Sequence, residues 1–254
     1  MTLTSIAGPA GTLAVDDGGH GSPPVVFLHS LAGTGGQWRA QLEHLRPARR
    51  AVALDFRGHG GSAAPADGDY AIASLAGDVA AAVDALGLER FALVGHSLGG
   101  GVPLVFAAAR PERVERLLLL DPIGDGTRIP REQVDPFLAA LDSPAYEETI
   151  EGYWRSIAGH DPAVAARLLA DLRATPREAV VAALRAVSSF DPGPALAALR
   201  APALAVVTPD NDAPYSLHRV GSFPHQVIAG TGHWIQLERA DEVSRILDRF
   251  LAGQ

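Results

Sequence analysis

The chain has 254 residues, 47% of them hydrophobic and 20% charged, with a formal net charge of -8 and no cysteine. That length is close to the upper size of a single hydrophobic core, and the acidic balance argues against nucleic-acid or membrane partners, which need clustered cations. All 21 basic residues are arginine, which excludes Schiff-base and P-loop lysines, and the lack of cysteine removes disulfides, thiol nucleophiles and cysteine-ligated zinc.

Residues 1–19 carry no basic stretch, and glycine and proline interrupt them before any long apolar run. They do not read as a secretory signal, so a cytoplasmic location is expected. Residues 6–15, split by Gly-Pro-Ala-Gly, predict a two-stranded antiparallel start. Short Val, Leu and Ala runs then recur at 25–29, 51–56, 91–94, 114–120, 203–207 and 226–229. Longer segments with helical spacing follow them. Apolar runs of this length suit strands buried on both faces, so the pattern predicts an α/β fold, a mostly parallel eight-stranded sheet with helices on each side.

Leu75, Val79, Val83 and Leu86 fall on one stripe of a predicted helix at 75–88, with Asp78 and Asp84 elsewhere on its wheel. Val243, Ile246, Leu247 and Phe250 do the same for a C-terminal helix at 241–251. Between 124 and 194 the strand signals stop, and 162–172 and 177–187 look helical. A helical lid inserted after the sixth strand is expected at 124–194, with 1–123 and 195–254 forming the core. The stretch 91–109 has no Asp, Glu or Arg and the length of a membrane span, but its glycines, Pro103 and His96 favour a buried strand, a turn and a helix starting near Leu98.

That turn carries the strongest signal in the chain. Gly95-His96-Ser97-Leu98-Gly99 fits G-x-S-x-G, in which a strained strand-to-helix turn lifts a serine hydroxyl clear of the sheet. Glycines flank the serine because larger side chains would collide with neighbouring backbone. The helix start behind it favours developing negative charge. A serine hydroxyl needs a base, and the base needs an orienting carboxylate. His233, in Gly-Thr-Gly-His-Trp between the last strand and the last helix, is the candidate base. Asp210 and Asp212 follow the run at 203–207, and Asp121 ends the run at 114–120. Each is a candidate acid.

With HSLAGTGGQW at 29–38, LDFRGHGGS at 54–62, LVGHSLGG at 93–100, the ARPERVERLLLLDP run, TPDND and GTGHW, the chain resembles the α/β-hydrolase superfamily. The resemblance implies Ser97 as nucleophile, His233 as general base and, by the pattern G-x-x-D, Asp212 as the acid, with Asp210 and Asp121 as alternatives. Pro209 stands where that pattern has glycine, which leaves the path of the loop open. The resemblance places an oxyanion hole at the N–H groups of Leu31 and Leu98, and it assigns residues 55–62 a structural role. Ser30 replaces a usual glycine and either borders the substrate or satisfies its loop. Trp154 and Trp234 are substrate-lining candidates, with Tyr153 beside them, and Trp38 is expected in the core. Pro103, inside the helix after the turn, is expected to bend it.

The function implied is hydrolysis of a small carboxylic ester without cofactor or metal, the partner being the small-molecule ester. Lactonase, thioesterase, carbon–carbon bond hydrolase and perhydrolase chemistry remain open on the same residues, as does a non-catalytic binding protein. Gly33-Thr34-Gly35-Gly36, with Asp55 twenty residues beyond Gly35, imitates a dinucleotide fingerprint. Trp38 stands where its third glycine is needed, which disfavours a nicotinamide enzyme.

Overall fold

The computed structural model describes residues 3–253. Its first two strands, β1 (Leu3–Gly8) and β2 (Gly11–Gly18), form the expected antiparallel pair, in register from Leu3–Asp16 to Gly8–Gly11. The six apolar runs become β3 (Val25–Leu28), β4 (Ala51–Leu54), β5 (Phe91–His96), β6 (Val114–Leu120), β7 (Ala203–Val207) and β8 (His225–Val227). Together they make one eight-stranded sheet in the order β1-β2-β4-β3-β5-β6-β7-β8. β2 meets β4 antiparallel, and every pairing from β4 to β8 is parallel.

The helices in chain order are α1 (Arg39–Leu45), α2 (Ile72–Ala85), α3 (Leu98–Ala109), α4 (Arg131–Leu141), α5 (Tyr146–Ile157), α6 (Pro162–Ala174), α7 (Arg177–Ser188), α8 (Gly193–Ala198), α9 (Leu217–Val220), α10 (Ile235–Glu238) and α11 (Ala240–Leu251). Two apolar layers cover the sheet. On one face Phe27, Leu118 and Val206 pack with Trp38, Leu42, Ile246 and Leu247 from the segments around α1 and α11. On the other, Leu28, Leu54, Leu93 and Leu117 pack with Val79, Leu104 and side chains of α5, α6 and α7. Trp38 lies in the core as expected, its ring centroid 5.0 Å from that of Phe27.

Residues 124–194 hold α4 to α7 and no strand, so the sheet is interrupted by helices alone. α8, which begins at Gly193, packs on α3, so the chain rejoins the core within that helix. α3 runs unbroken through Pro103. The ring of Pro103 lies over Gly95, where the missing Cβ leaves room for it. Among the described residues no helix is long and apolar enough to cross a membrane.

Asp78, off the apolar stripe of α2, is nevertheless fully buried, and Arg57 reaches it with Nε–Oδ2 at 2.6 Å and Nη2–Oδ1 at 2.7 Å. Arg57 also donates to the carbonyls of Asp69 and Ser74. Charged groups persist in an interior only when paired and fully hydrogen-bonded, so this fork pins the 55–62 loop to α2. Asp78→Ala leaves the guanidinium buried without its anion and is expected to cost about 3–5 kcal/mol in urea unfolding. A loss below about 1 kcal/mol would mean that the pair does not hold this loop.

Candidate active site

The last residues of β5 and the first turn of α3 build the nucleophile turn. Ser97 sits between them at φ 56° and ψ -116°, a positive φ that a non-glycine residue adopts only when its surroundings enforce it. Its N–H donates to the Leu120 carbonyl at 3.0 Å, and its own carbonyl accepts from Gly100 at 2.7 Å and Ile123 at 3.1 Å. A Cβ at Gly95 would overlap the Gly99 carbonyl, and one at Gly99 would come within 2.5 Å of the carbonyls of Leu28 and His29. Only hydrogen fits at these two places, as the sequence pattern implies.

His233 follows β8 on the loop leading to α10. Its Nδ1–H donates to Asp121 Oδ2 at 2.6 Å, and its ring borders the same cavities as Ser97. Asp121 ends β6 and is almost fully buried. Burial alone would raise its carboxyl, but the His233 bond and charge, with the Thr208 N–H at 2.7 Å, hold it below the usual carboxylate range. The backbone of His233 is held as well. Its N–H donates to the Ile157 carbonyl at 2.9 Å, and its carbonyl accepts from His96 Nε2 at 2.8 Å.

The leading candidate for the acid, Asp212, is not beside His233. Residues Pro209–Asn211 form a 3₁₀ turn that carries Asp212 outward, where Arg219 grips it at 2.6 and 2.7 Å and His218 lies at 3.1 Å. Arg219 first, then His218, holds that carboxyl far below its ordinary range. Within the turn, Asn211 faces inward, donating to the Pro122 carbonyl and accepting from Ser216. Asp210 borders the cavity but makes no bond to His233. The partner is Asp121, the alternative on the neighbouring strand. The sequence carried one usable signal, Thr208 at the end of β7: its N–H and its hydroxyl both serve Asp121.

Leu31 and Leu98 both border the cleft next to Ser97, and among the described residues neither N–H donates to another group. The loop carrying Leu31 is fixed by His29, whose Nδ1–H donates to the Ser30 carbonyl at 2.6 Å while Nε2 accepts from the Phe56 N–H at 2.9 Å. Burial lowers the His29 pKa to about 4. Burial first, then the nearby His233, puts His96 well below its ordinary value, so its ring stays neutral. The hydroxyl of Ser30 accepts from Trp234 Nε1 at 3.0 Å, so Ser30 anchors the Trp234 indole as well as bordering the cleft. Trp154 is buried against Trp234, with ring centroids 6.0 Å apart, and Tyr153 stands beside it, more exposed and bordering both cavities.

The dinucleotide-like feature is consumed internally. Asp55 accepts the Gly35 N–H at 2.6 Å and the Gly61 N–H at 2.9 Å, so its carboxylate braces two loops of the chain.

The alpha/beta hydrolase fold family matches residues 23–150, half of the chain, and the protein belongs to that family. The dihydrolipoyllysine-residue acetyltransferase component of an acetoin cleaving system from Cupriavidus necator is 30% identical over 249 residues, 92% of this chain. The chain spans only 65% of that relative's length. Among solved structures, Est816, described as an N-acyl homoserine lactone degrading enzyme, is 26% identical with a TM-score of 0.85, covering 97% of this chain and 100% of that one. A thermophilic esterase from Thermogutta terrifontis is 25% identical with a TM-score of 0.83, covering 100% and 99%.

The buried histidines have a consequence for folding. The His29 pKa is lowered from 6.5 to about 4 and that of His59 to about 3, in both mainly by burial. A group with a depressed native pKa stabilises the fold above its unfolded value and loses that contribution as pH falls toward the native one. Urea midpoints are therefore expected to drop steadily from pH 6.5 to pH 4, with His29 alone responsible for about 3 kcal/mol. A midpoint that stays constant over that window would contradict the assignment.

Proposed function

We propose that the protein is a serine hydrolase that cleaves a small carboxylic ester through an acyl-enzyme. The observation that carries this reading is the 2.6 Å pairing of His233 with buried Asp121 beside a serine on a strained strand-to-helix turn. Asp121 supplies the third member, in place of the Asp212 that the family pattern suggested. The likeness to an esterase and to an N-acyl homoserine lactone degrading enzyme supports the same class.

Neutral His233 takes the Ser97 proton on Nε2 as Oγ bonds to the ester carbonyl carbon. The carbonyl oxygen gains the electron pair and accepts from the Leu31 and Leu98 N–H groups, the second of them at the positive end of α3. Asp121 keeps the His233 proton on Nδ1 and stabilises the imidazolium. The carbon–oxygen bond then breaks, and His233 passes its proton to the departing alcohol. Water repeats the sequence, losing a proton to His233 and releasing the carboxylic acid and free Ser97. His96 stays outside this exchange, because burial holds its ring neutral and its Nε2–H is committed to the His233 carbonyl.

A fluorophosphonate is expected to label Ser97 stoichiometrically, and Ser97→Ala to lower kcat for p-nitrophenyl acetate by about 10⁴–10⁶. Asp121→Asn should lose about 10⁴ in kcat, as expected when an orienting carboxylate becomes an amide that stabilises the wrong tautomer. Asp212→Asn should stay within about threefold of the parent, since a solvent-facing ion pair contributes little. If the two aspartate variants changed places in this ranking, the assignment of the acid would be wrong. An unlabelled serine would remove the mechanism.

A further inference from the structure

We infer that the site is built for esters with a short acyl part and a larger, uncharged alcohol part, an inference that rests on the serine-hydrolase reading above. Two cavities meet at Ser97 and His233. The smaller, about 70 Å³, is bordered by Leu31 and Leu98 and by Trp154, Leu184 and Trp234. The larger, about 360 Å³, is bordered by Asp121, Ile129, Val187 and Asp210.

The reaction assigns one part of the substrate to each. The carbonyl oxygen must face the Leu31 and Leu98 N–H groups, and those residues border the smaller cavity and not the larger. The acyl chain is assigned to the same cavity, next to the carbonyl oxygen. The departing oxygen must reach Nε2 of His233, a ring that borders both cavities, and with the acyl chain in the smaller one the larger is the space left for it. The alcohol leaves on that side.

Size then limits the acyl chain. At ~10–15 Å³ per water-sized atom, the smaller cavity admits roughly five to seven non-hydrogen atoms, a carbonyl with a chain of a few carbons. Trp154 of α5 and Leu184 of α7 both border it, so the helices between β6 and β7 bear on the limit.

Charge limits the alcohol. Asp121 and Asp210 both border the larger cavity, and no arginine does. A leaving group carrying phosphates would bring like charge against these carboxylates with no arginine to offset it. Thioesters of phosphate-bearing thiols such as coenzyme A are therefore poor substrates, whereas an uncharged aryl or alkyl alcohol fits.

The test uses the full chain with p-nitrophenyl acetate, butyrate and octanoate, then acetyl-CoA beside S-benzyl thioacetate, with fluorophosphonate labelling of Ser97 as a control. The acetate or butyrate ester should exceed the octanoate by more than about tenfold in kcat/KM, the scale on which an apolar pocket discriminates. Leu184→Ala, at a half-buried residue bordering the smaller cavity, should shrink that ratio by about tenfold. Acetyl-CoA should react about 100-fold more slowly than the neutral thioester. Octanoate turned over as well as acetate by the labelled parent enzyme would overturn the acyl limit even if the variant did not fold. Equal rates for the two thioesters would overturn the charge limit. Failure of both labelling and turnover would instead bring down the serine-hydrolase reading, and this inference with it.

Discussion

The carboxylate of Asp121 is the point on which the rest of the site hangs. It lies at the end of β6, almost fully buried, at a φ of 41° that an aspartate tolerates better than most side chains. An anion removed from water must be surrounded by donors, and here they come from two other segments. Thr208, just after β7, gives its N–H and its hydroxyl, and His233, after β8, gives its ring N–H. Three neighbouring strands therefore end in one shared set of hydrogen bonds, and satisfying the anion brings the imidazole to the serine side of the sheet.

The inserted helices belong to the same device. The C-terminal end of α5 supplies the carbonyl that receives the His233 N–H, and Gly159 lies so close to Gly232 that a Cβ on either would strike the other's backbone. Glu238 in α10 accepts the Gly232 N–H at 2.8 Å, and neutral His96 donates to the His233 carbonyl from beneath. The position of His233 is thus fixed jointly by the sheet, the insertion and the segment that follows it. A displacement of α5 would remove the acceptor of the His233 N–H.

Most of the architecture was legible in the chain because it rests on local rules. Runs rich in Val, Leu and Ala marked 114–120 and 203–207 to the residue, and the heptad-like spacing of Val243, Ile246, Leu247 and Phe250 marked the last helix. The burial of Asp78 could not be read from the chain, because a helical wheel records where a side chain points and not what meets it there. Its partner, Arg57, comes from a loop 21 residues away. Ser30 showed a similar limit, since its partner Trp234 lies 204 residues further along.

The sequence by itself determined the strands of the sheet, several of its helices, the strained turn at Ser97 and the candidate base, because close backbone approach admits only glycine at 95 and 99 and apolar periodicity needs no knowledge of neighbours. It left three aspartates competing for one role. Only the tertiary structure showed which of them pairs with His233, because that depends on where charges find their partners in space. Arg219, on a short helix beyond the loop, draws Asp212 outward, while Thr208 and His233 close over Asp121 from adjacent strands. No spacing along the chain encodes that competition, which is settled by burying the carboxylate that has donors waiting and leaving the other in water with its arginine.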